Sequence, residues 1–392
     1  MRVRLAHRSV FIDEAILDIN YIPDLILHRE PEYRMLESLF DNMVTAPNEV
    51  SQKAVIVGGV GSGKTLLSQY YGRNLKDKAK RRRVQLEYLH INCREFRGSL
   101  FMILSRVVKR LRPGFPERGY AANELMEILR QILSEDDTQV LLALDEVDAL
   151  IDNEGSDALY YLTRFHEAEP TQPRRLSLIF ISKDPDVFRK LDRSTLSSLQ
   201  RNVVRMPDYT RGQLSDILLY RVERAFRKDA VPLEIIDFVS ELAVKEGSDA
   251  RYAIDLLQGS GRYADTDHSI QIRPEHVRRV AVGLFPVLDR EAVRQLSLHE
   301  QLVLLAVARF FKSSSGTHAT TGEIEQGYHL VCEEYGEDPR GHTQYWKYLK
   351  NLNSLDFLKM RLQASSQGRT QLISLEKVPA NELEDSVVNI IG

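Results

Sequence analysis

Eight consecutive residues close to position 60 have the types and the spacing of a loop that holds phosphate groups. Glycines let successive backbone N–H groups converge on an anion, and the N-terminus of a following helix adds a positive partial charge. In such a loop the lysine reaches the β- and γ-phosphates of a nucleotide, and the last hydroxyl binds Mg²⁺. The residues, which fit G-x-x-x-x-G-K-[ST] without a mismatch, are Gly58, Gly59, Val60, Gly61, Ser62, Gly63, Lys64 and Thr65. Glycine-rich turns are common, but a match at every position predicts nucleotide binding.

Two acidic residues follow a continuous apolar stretch further along the chain. Residues 140–144 have the composition of a strand buried on both faces of a parallel sheet, and Asp145 and Glu146 come directly after it. Ligands bind at the carboxyl ends of such strands. We therefore expect Asp145 near Mg²⁺ and Glu146 near the γ-phosphate, where it would orient or deprotonate a water molecule. The alternative is a pair of acids that cap a helix.

Strands and helices on either side must hold these residues in place. Apolar residues 54–57 predict a strand before the loop, and residues 66–75 predict a helix after it. Further strands are predicted at 84–91, 140–144, 176–182 and 202–206. Beyond Pro207 the pattern is helical only, with helices at 214–226, 234–245, 248–257 and 274–283. This order predicts an α/β core, with a parallel sheet flanked by helices, followed by an all-helical domain.

The C-terminal part has the element order of a winged helix. Helices are predicted at 298–311, 322–335 and 343–353, and strands at 357–363 and 370–376 form a hairpin. Residues 323–338 carry six acids and no Lys or Arg, whereas residues 340–369 carry six cations and one acid. A cationic third helix and wing predict contact with DNA phosphates, although winged helices also bind proteins.

Length and composition limit the class of protein. The 392 residues suffice for about two to three domains. The formal net charge of −3 excludes a protein that is basic throughout, so any nucleic-acid site must be local. Cys93 and Cys332 cannot form a disulfide framework. No apolar run is long enough to span a bilayer and no signal peptide opens the chain, so we expect a cytoplasmic protein without a membrane partner.

Together these motifs resemble the archaeal Orc1/Cdc6 family of replication initiators, a branch of the AAA+ ATPases. Residues 58–65 and 145–148 are similar to its two Walker motifs, and residues 247–257 resemble its sensor 2 segment. The resemblance covers nearly the whole chain. It implies an AAA+ nucleotide-binding domain at 1–206, a helical lid at 207–285 and a winged-helix DNA-binding domain at 286–392.

The resemblance implies further nucleotide contacts. Pro23, His28 and Arg29 correspond to a segment near the adenine, and Arg251 corresponds to an arginine that faces the γ-phosphate. Catalysis would rest on Lys64, Asp145, Glu146 and Arg251, and Mg²⁺ binding on Thr65 and Asp145. The implied nucleotides are ATP and ADP. Other implied contacts come from Leu66, Tyr209 and Ile217.

Two positions depart from the family pattern. The position after the fourth strand is normally asparagine, and Lys183 aligns with it; a cation binds phosphate but cannot accept a proton while charged. In the arginine-finger box the usual arginine falls on Ser194, with Arg193 one residue earlier. We therefore expect an ATP-binding switch with slow hydrolysis rather than a motor.

The family's inserted helical element and its winged helix both contact DNA, with the wing in a minor groove. The cationic stretch 94–118, which carries seven Arg and Lys residues against two acids, lies at the position of that insertion. The implied DNA contacts are Arg94, Arg97, Arg110, Arg112, Arg340, Thr343, Lys347, Lys350, Arg361 and Arg369. Double-stranded origin DNA, the MCM replicative helicase and other initiator paralogues are the implied partners.

Three rival interpretations stay open at this point. A clamp-loader-like ATPase is expected to end in a helical collar, whereas this chain ends in a cationic module with a hairpin. An AAA+ winged-helix transcriptional regulator would occupy promoters and leave origins bare. An interaction scaffold would use the winged helix to bind protein.

Overall fold

The computed structural model describes residues 9–116, 119–167, 173–199, 202–284, 293–314, 316–355, 357–365, 368–375 and 378–391. For residues 282–284, 363–365 and 368–370 the description covers only the backbone. The chain forms two compact units. The first, here called the sheet unit, comprises Ile22–Gln213 and Gly247–Ala250, and the second, the helical unit, comprises Met1–Tyr21, Leu214–Glu246 and Arg251–Gly392.

Five parallel strands form the centre of the sheet unit, in the order β2-β3-β4-β1-β5. They are β1 (Lys53–Gly58), β2 (Leu86–Asn92), β3 (Gln139–Asp145), β4 (Leu176–Ser182) and β5 (Val203–Met206). Every residue of β3 and β4 is buried, because helices cover both faces of the sheet. The predicted parallel sheet is confirmed, and β4 has the predicted bounds.

The helices of the sheet unit lie on two sides of this sheet. They are α1 (Glu30–Phe40), α2 (Asn42–Thr45), α3 (Lys64–Arg81), α4 (Leu100–Leu111), α5 (Ala122–Glu135), α6 (Asp148–Glu154), α7 (Ser156–Thr163) and α8 (Arg193–Ser198). One core joins Val140 and Leu142 of β3 to α4 and α5. The other joins Leu141 and Ala143 to α1 and α3. Because alternate residues of a strand point to opposite faces, these cores place α3 and α4 on opposite sides.

The helical unit combines a group of helices with a winged helix. Its helices are α9 (Arg211–Ala225), α10 (Leu233–Lys245), α11 (Ala250–Thr266), α12 (Pro274–Leu284), α13 (Leu298–Ser313), α14 (Thr321–Glu334), α15 (His342–Ser354) and α16 (Ala380–Ile391). The strands β6 (Ala319–Thr320), β7 (Lys359–Ser365) and β8 (Gly368–Ser374) form an antiparallel sheet in the order β6-β8-β7. The winged helix is confirmed, but the predicted element order lacked α16. Its Glu384 pairs with Arg309 (3.1 Å) and Lys312 (2.5 Å) of α13.

A buried arginine joins the two parts of the helical unit. Arg278 of α12 is fully buried, and its Nε donates to the carbonyl of Leu375 after β8 (2.7 Å). Its guanidinium lies 5.5 Å from the ring of Phe238 in α10 and 4.8 Å from that of Phe311 in α13. These contacts fix α10 and α12 against the winged helix. None of the described helices combines the length and the hydropathy needed to cross a bilayer.

Candidate nucleotide site and cationic surfaces

The predicted phosphate loop lies between a buried strand and a helix N-terminus. Strand β1 ends at Gly58, and α3 begins at Lys64 after Gly63, whose φ of 90° lies in the left-handed region that favours glycine. A Cβ at position 63 would also lie 2.9 Å from the Tyr209 hydroxyl. Gly61 has a φ of 70°, and a Cβ there would collide with Asp249. Glycine at these two positions therefore lets the loop turn back on itself with its N–H groups at the start of α3.

Arg29 stabilises this loop through hydrogen bonds to its backbone. The side chain is buried, with 1% of the residue exposed, and its Nη2 donates to the carbonyls of Ser62 (2.9 Å) and Pro207 (2.7 Å). Nε donates a further bond to Ser62 (3.2 Å), and the guanidinium lies 3.9 Å from the centre of the Tyr209 ring. The resemblance implied an adenine contact for Arg29, which stays a prediction. Its described contacts are with Ser62 of the loop, with Pro207 and Tyr209, and with Glu32, whose carboxylate lies 3.8 Å from Nη1. Its physical role here is to fix the loop's position.

Thr65, the residue after Lys64, contacts Asp145, the last residue of β3. Thr65 Oγ1 donates to Asp145 Oδ2 (2.6 Å), and the same oxygen lies 3.3 Å from His90 Nε2. Burial, the largest single influence, raises the pKa of Asp145, but hydrogen bonds from His90 and Thr65 outweigh it and hold the pKa below its ordinary value. The Asp145 carboxylate is therefore charged at neutral pH. A hydroxyl and a carboxylate in contact are the oxygen donors that Mg²⁺ prefers.

Sequence reasoning missed the residues behind Asp145. His90 lies on β2, which pairs with β3 in a register that sets Asn92 opposite Asp145. Its Nδ1 lies 3.2 Å from the Tyr88 hydroxyl, which in turn lies 2.9 Å from Ser68 Oγ on α3. This chain orients the His90 ring toward Asp145. Polar residues at alternate positions of an otherwise apolar strand were the available signal.

Glu146 is oriented separately from Asp145. Its backbone has a positive φ of 50°, and its N–H donates to Asp145 Oδ1 (2.8 Å). The Glu146 side chain is half exposed, and its Oε2 lies 4.0 Å from Arg94 Nη1. Lys183 follows β4 and is exposed. Asp145 is therefore held in place, whereas the Glu146 side chain extends toward solvent.

The donors in this region fit a magnesium–nucleotide. Lys64 Nζ donates to the carbonyls of Gly58 (2.9 Å) and Gly59 (2.6 Å) and so lies over the loop. The loop offers N–H groups and an ammonium to phosphate, and Thr65 with Asp145 offers oxygens to a cation. Pro23 and Tyr209 are buried in the same unit, and His28, Val60 and Leu66 are at least partly exposed. Ile217 and Arg251 belong to the helical unit, and their nucleotide contacts stay predictions.

The cations of the stretch 94–118 have different surroundings. Arg112 pairs with Glu135 (3.2 Å) and Asp136 (3.1 Å), and Arg94 faces Glu146. Arg97 and Arg110 are exposed, and no partner for either occurs among the described residues. The structure therefore separates two acid-paired arginines from two that are open to an anionic ligand.

Helix α15 presents a polar face to solvent. Thr343, Lys347 and Lys350 are exposed and recur at helical spacing on one side, whereas Tyr345 and Leu349 are buried on the other. Lys350 also lies 5.7 Å from the Trp346 ring. This exposed face is what the sequence predicted for the third helix of the winged helix.

Two other predicted DNA contacts of the winged helix, Arg340 and Arg361, already have partners within the helical unit. Arg340 Nε donates to His299 Nε2 (2.9 Å). Arg361 of β7 forms an ion pair with Glu241 of α10, which is 7% exposed and also accepts from Lys245 (3.1 Å). Arg369 lies in β8, and its side chain is outside the described part of the chain. The structure thus directs Arg361 toward α10.

Comparison with known proteins decides the family. Three family models match: an AAA domain over residues 51–191, a Cdc6 AAA+ ATPase-type lid domain over 215–281 and a CDC6 C-terminal winged helix domain over 291–386. An ORC1-type DNA replication protein 2 of Sulfurisphaera tokodaii is 31% identical over 97% of this chain and 93% of that protein. The chain belongs to the Orc1/Cdc6 family.

Solved structures of Orc1/Cdc6 proteins agree with the fold. Cdc6p from Pyrobaculum aerophilum superposes with a TM-score of 0.83 at 29% identity, covering 98% of this chain and 99% of that one. The Aeropyrum pernix Orc1 protein, solved in complex with DNA, superposes with a TM-score of 0.65 at 27% identity, covering 97% of each chain. As an Orc1/Cdc6 protein, the chain is an initiator of DNA replication with an AAA+ nucleotide-binding core, and the rival interpretations are not favoured.

Proposed function

We propose that this Orc1/Cdc6 protein binds Mg²⁺ with ATP or ADP in its sheet unit, binds duplex origin DNA through its winged helix, and acts as a nucleotide switch in helicase loading. The observation that carries the proposal is the contact between Thr65 and Asp145 at the end of a phosphate loop. The exposed polar face of α15 supports the DNA-binding part of the proposal.

Each residue of the nucleotide site has a role that its chemistry suits. Bound Mg²⁺ would neutralise phosphate charge, with Thr65 and Asp145 as its protein ligands. Lys64 would move from the Gly58 and Gly59 carbonyls to the phosphates, and Glu146 would orient water. Arg251 is proposed to face the γ-phosphate. Lys183 and Ser194 replace the residues expected to assist hydrolysis, so ATP turnover is slow. The bound nucleotide, ATP or ADP, then mainly acts as a switch of the protein's conformation.

The DNA contacts are assigned from exposure and pairing. Lys347 and Lys350 would bind phosphates while Thr343 and the exposed face of α15 approach the major groove. From the insertion, Arg97 is the favoured contact, because Arg94 and Arg112 already face carboxylates and Arg110 lines a groove along β2. Arg369 is proposed for the wing. The solved complex of the Aeropyrum pernix Orc1 protein with DNA supports this use of the fold.

The proposed partners are origin DNA, other initiator paralogues and the MCM helicase. Mapping the positions of this protein on its own chromosome by crosslinking and sequencing tests the proposal. We expect enrichment at replication origins. Enrichment at many promoters, with origins unoccupied, would contradict an initiator and indicate a transcriptional regulator.

A further inference from the structure

A groove of about 510 Å³ follows the free edge of the sheet in the sheet unit. Its floor is the edge strand β2, and its walls are α3 and α4, which cover opposite faces of the sheet. Its polar side chains come from both walls and the floor: Gln69, Arg73 and Lys76 from α3, Tyr88 and His90 from β2, and Arg106 and Arg110 from α4. Of the described residues that line it, none belongs to the phosphate loop.

The backbone of β2 directs hydrogen-bonding groups toward this groove. At one end of the pairing between β2 and β3, the Gln139 N–H donates to the Gln85 carbonyl, and at the other end the Cys93 N–H donates to the Asp145 carbonyl, both at 2.8 Å. The register of the two strands is unbroken between these hydrogen bonds. Alternate residues of a parallel strand bond to the same neighbour, so the odd-numbered residues of β2 pair with β3. Tyr88 and His90 therefore point their N–H and C=O groups outward. In the described part of the chain no strand pairs with this edge.

The groove carries an excess of positive charge. Arg106 and Arg110 are exposed, and the described residues offer neither of them an ionic partner. On the opposite wall Arg73 lies 3.6 Å from Asp24, and Lys76 lies 2.7 Å from Glu87. The groove therefore has four cations and two carboxylates, and both carboxylates lie beside the α3 cations. The α4 wall should attract an anion more strongly than the α3 wall.

The spacing of the cations matches an extended peptide. Arg106 and Arg110 are one helical turn apart, about 6 Å between Cβ atoms. Residues on one face of a strand repeat every ~6.8 Å. Two acids separated by one residue would thus meet Arg106 and Arg110. The residues between and beside them would point to the opposite wall, toward Arg73 and Lys76.

We propose that this groove binds an extended acidic segment of a partner protein, which adds to β2 as a sixth strand and places four consecutive Asp or Glu side chains against the α3 and α4 cations. Exposed sheet edges recognise peptides through their backbone groups and select them through alternate side chains. A nucleic-acid strand would use the cations but not the N–H and C=O groups of Tyr88 and His90. One face of the Tyr88 ring packs against Gly72 of α3.

Fluorescence anisotropy with the full chain and a labelled peptide of four glutamates flanked by valines tests the proposal. Arg110→Glu should weaken peptide binding at least fivefold. Lys109→Glu makes the same change of charge on the same helix, outside the groove, and should weaken it less than twofold. Equal effects of the two variants would overturn the groove as the site. So would a loss of duplex-DNA affinity in Arg110→Glu that exceeds the loss of peptide affinity, because the cations would then serve DNA.

Peptide chemistry provides a second test that leaves the protein unchanged. Two peptides carry N-methyl groups on alternate residues, offset from each other by one position. Strand addition predicts that one of them loses at least tenfold in affinity, because its blocked amides face β2, while the other binds like the parent. Equal affinities of the two N-methylated peptides would contradict pairing with β2.

Discussion

Arg29 of the sheet unit and Arg278 of the helical unit are among the largest fully buried side chains of the described residues, and the two arginines are held in different ways. Arg29 donates three hydrogen bonds to backbone carbonyls, stacks on Tyr209 and lies 3.8 Å from the Glu32 carboxylate. Arg278 donates to one carbonyl and pairs with Glu275 (3.5 Å), and its Nη2 has no hydrogen-bond partner among the described residues. Burial lowers the pKa of Arg278 to about 10, while Glu275 acts in the opposite direction. Arg29 thus fixes the conformation of the phosphate loop, whereas Arg278 mainly fills the space between α12 and the winged helix.

The largest effect is expected for Arg29→Met. It removes the donors to Ser62 and Pro207 and leaves their carbonyls buried, which should lower the free energy of unfolding by about 3 kcal/mol. Nucleotide affinity should fall at least tenfold, because the loop loses its support. Denaturant unfolding and titration with a fluorescent ATP analogue measure the two effects. Arg34→Met, at an exposed position of α1, the helix that follows Arg29, should change neither. Unaltered nucleotide binding in Arg29→Met would show that the loop holds its conformation without Arg29.

Arg278→Met should destabilise the protein less. The substitution leaves the Leu375 carbonyl and the partly exposed Glu275 carboxylate without their donor, but it also removes an Nη2 that has no partner among the described residues. We expect the free energy of unfolding to fall by about 2 kcal/mol. Hydrogen exchange in α10 and α12, compared with Arg279→Met on the same helix, locates the change. A loss as large as that in Arg29→Met would remove the distinction between the two arginines.

The same distinction applies to the cations of the winged helix. Lys347 is exposed and no ion pair for it occurs among the described residues, whereas Arg361 is paired with Glu241. Lys347→Gln should therefore reduce the slope of log affinity for duplex DNA against log salt by about 0.9, the value for one phosphate contact. Arg361→Gln should leave the slope unchanged. A larger effect of Arg361→Gln would mean that DNA competes successfully with Glu241.

The smallest effect concerns pH. Burial lowers the pKa of His299, the Arg340 cation lowers it further, and Glu337 opposes them. Below the ordinary value of 6.5 the unfolded chain binds a proton that the folded chain does not, so His299 should reduce stability as pH falls from about 6.5. Its contribution is at most about 1.4 kcal/mol per pH unit. Urea unfolding between pH 7.5 and 5.5 should show a weaker dependence in His299→Gln, and an identical dependence would exclude His299 as its source.

What the sequence could predict depended on how far apart the cooperating residues lie along the chain. The phosphate loop and the two acids at the end of β3 are contiguous motifs, and each was predicted with its position in the sheet. His90 was missed, because its role comes from pairing between β2 and β3. The ion pair of Arg361, a predicted DNA contact, was not foreseen either, because its partner Glu241 lies in a different part of the sequence. Helix α16 was also missed, although Leu383 and Val387, buried at helical spacing within it, were an available signal.

Titration of the purified chain with a fluorescent ATP analogue and Mg²⁺ tests the central claim most directly. The wild-type chain should bind the nucleotide, and Lys64→Ala should lose at least tenfold in affinity, because the phosphate charge is then uncompensated. Lys80→Ala, on an exposed position near the end of the same helix, should bind like the wild type. Equal affinity of Lys64→Ala and the wild-type chain would contradict the assignment of residues 58–65 as the phosphate site.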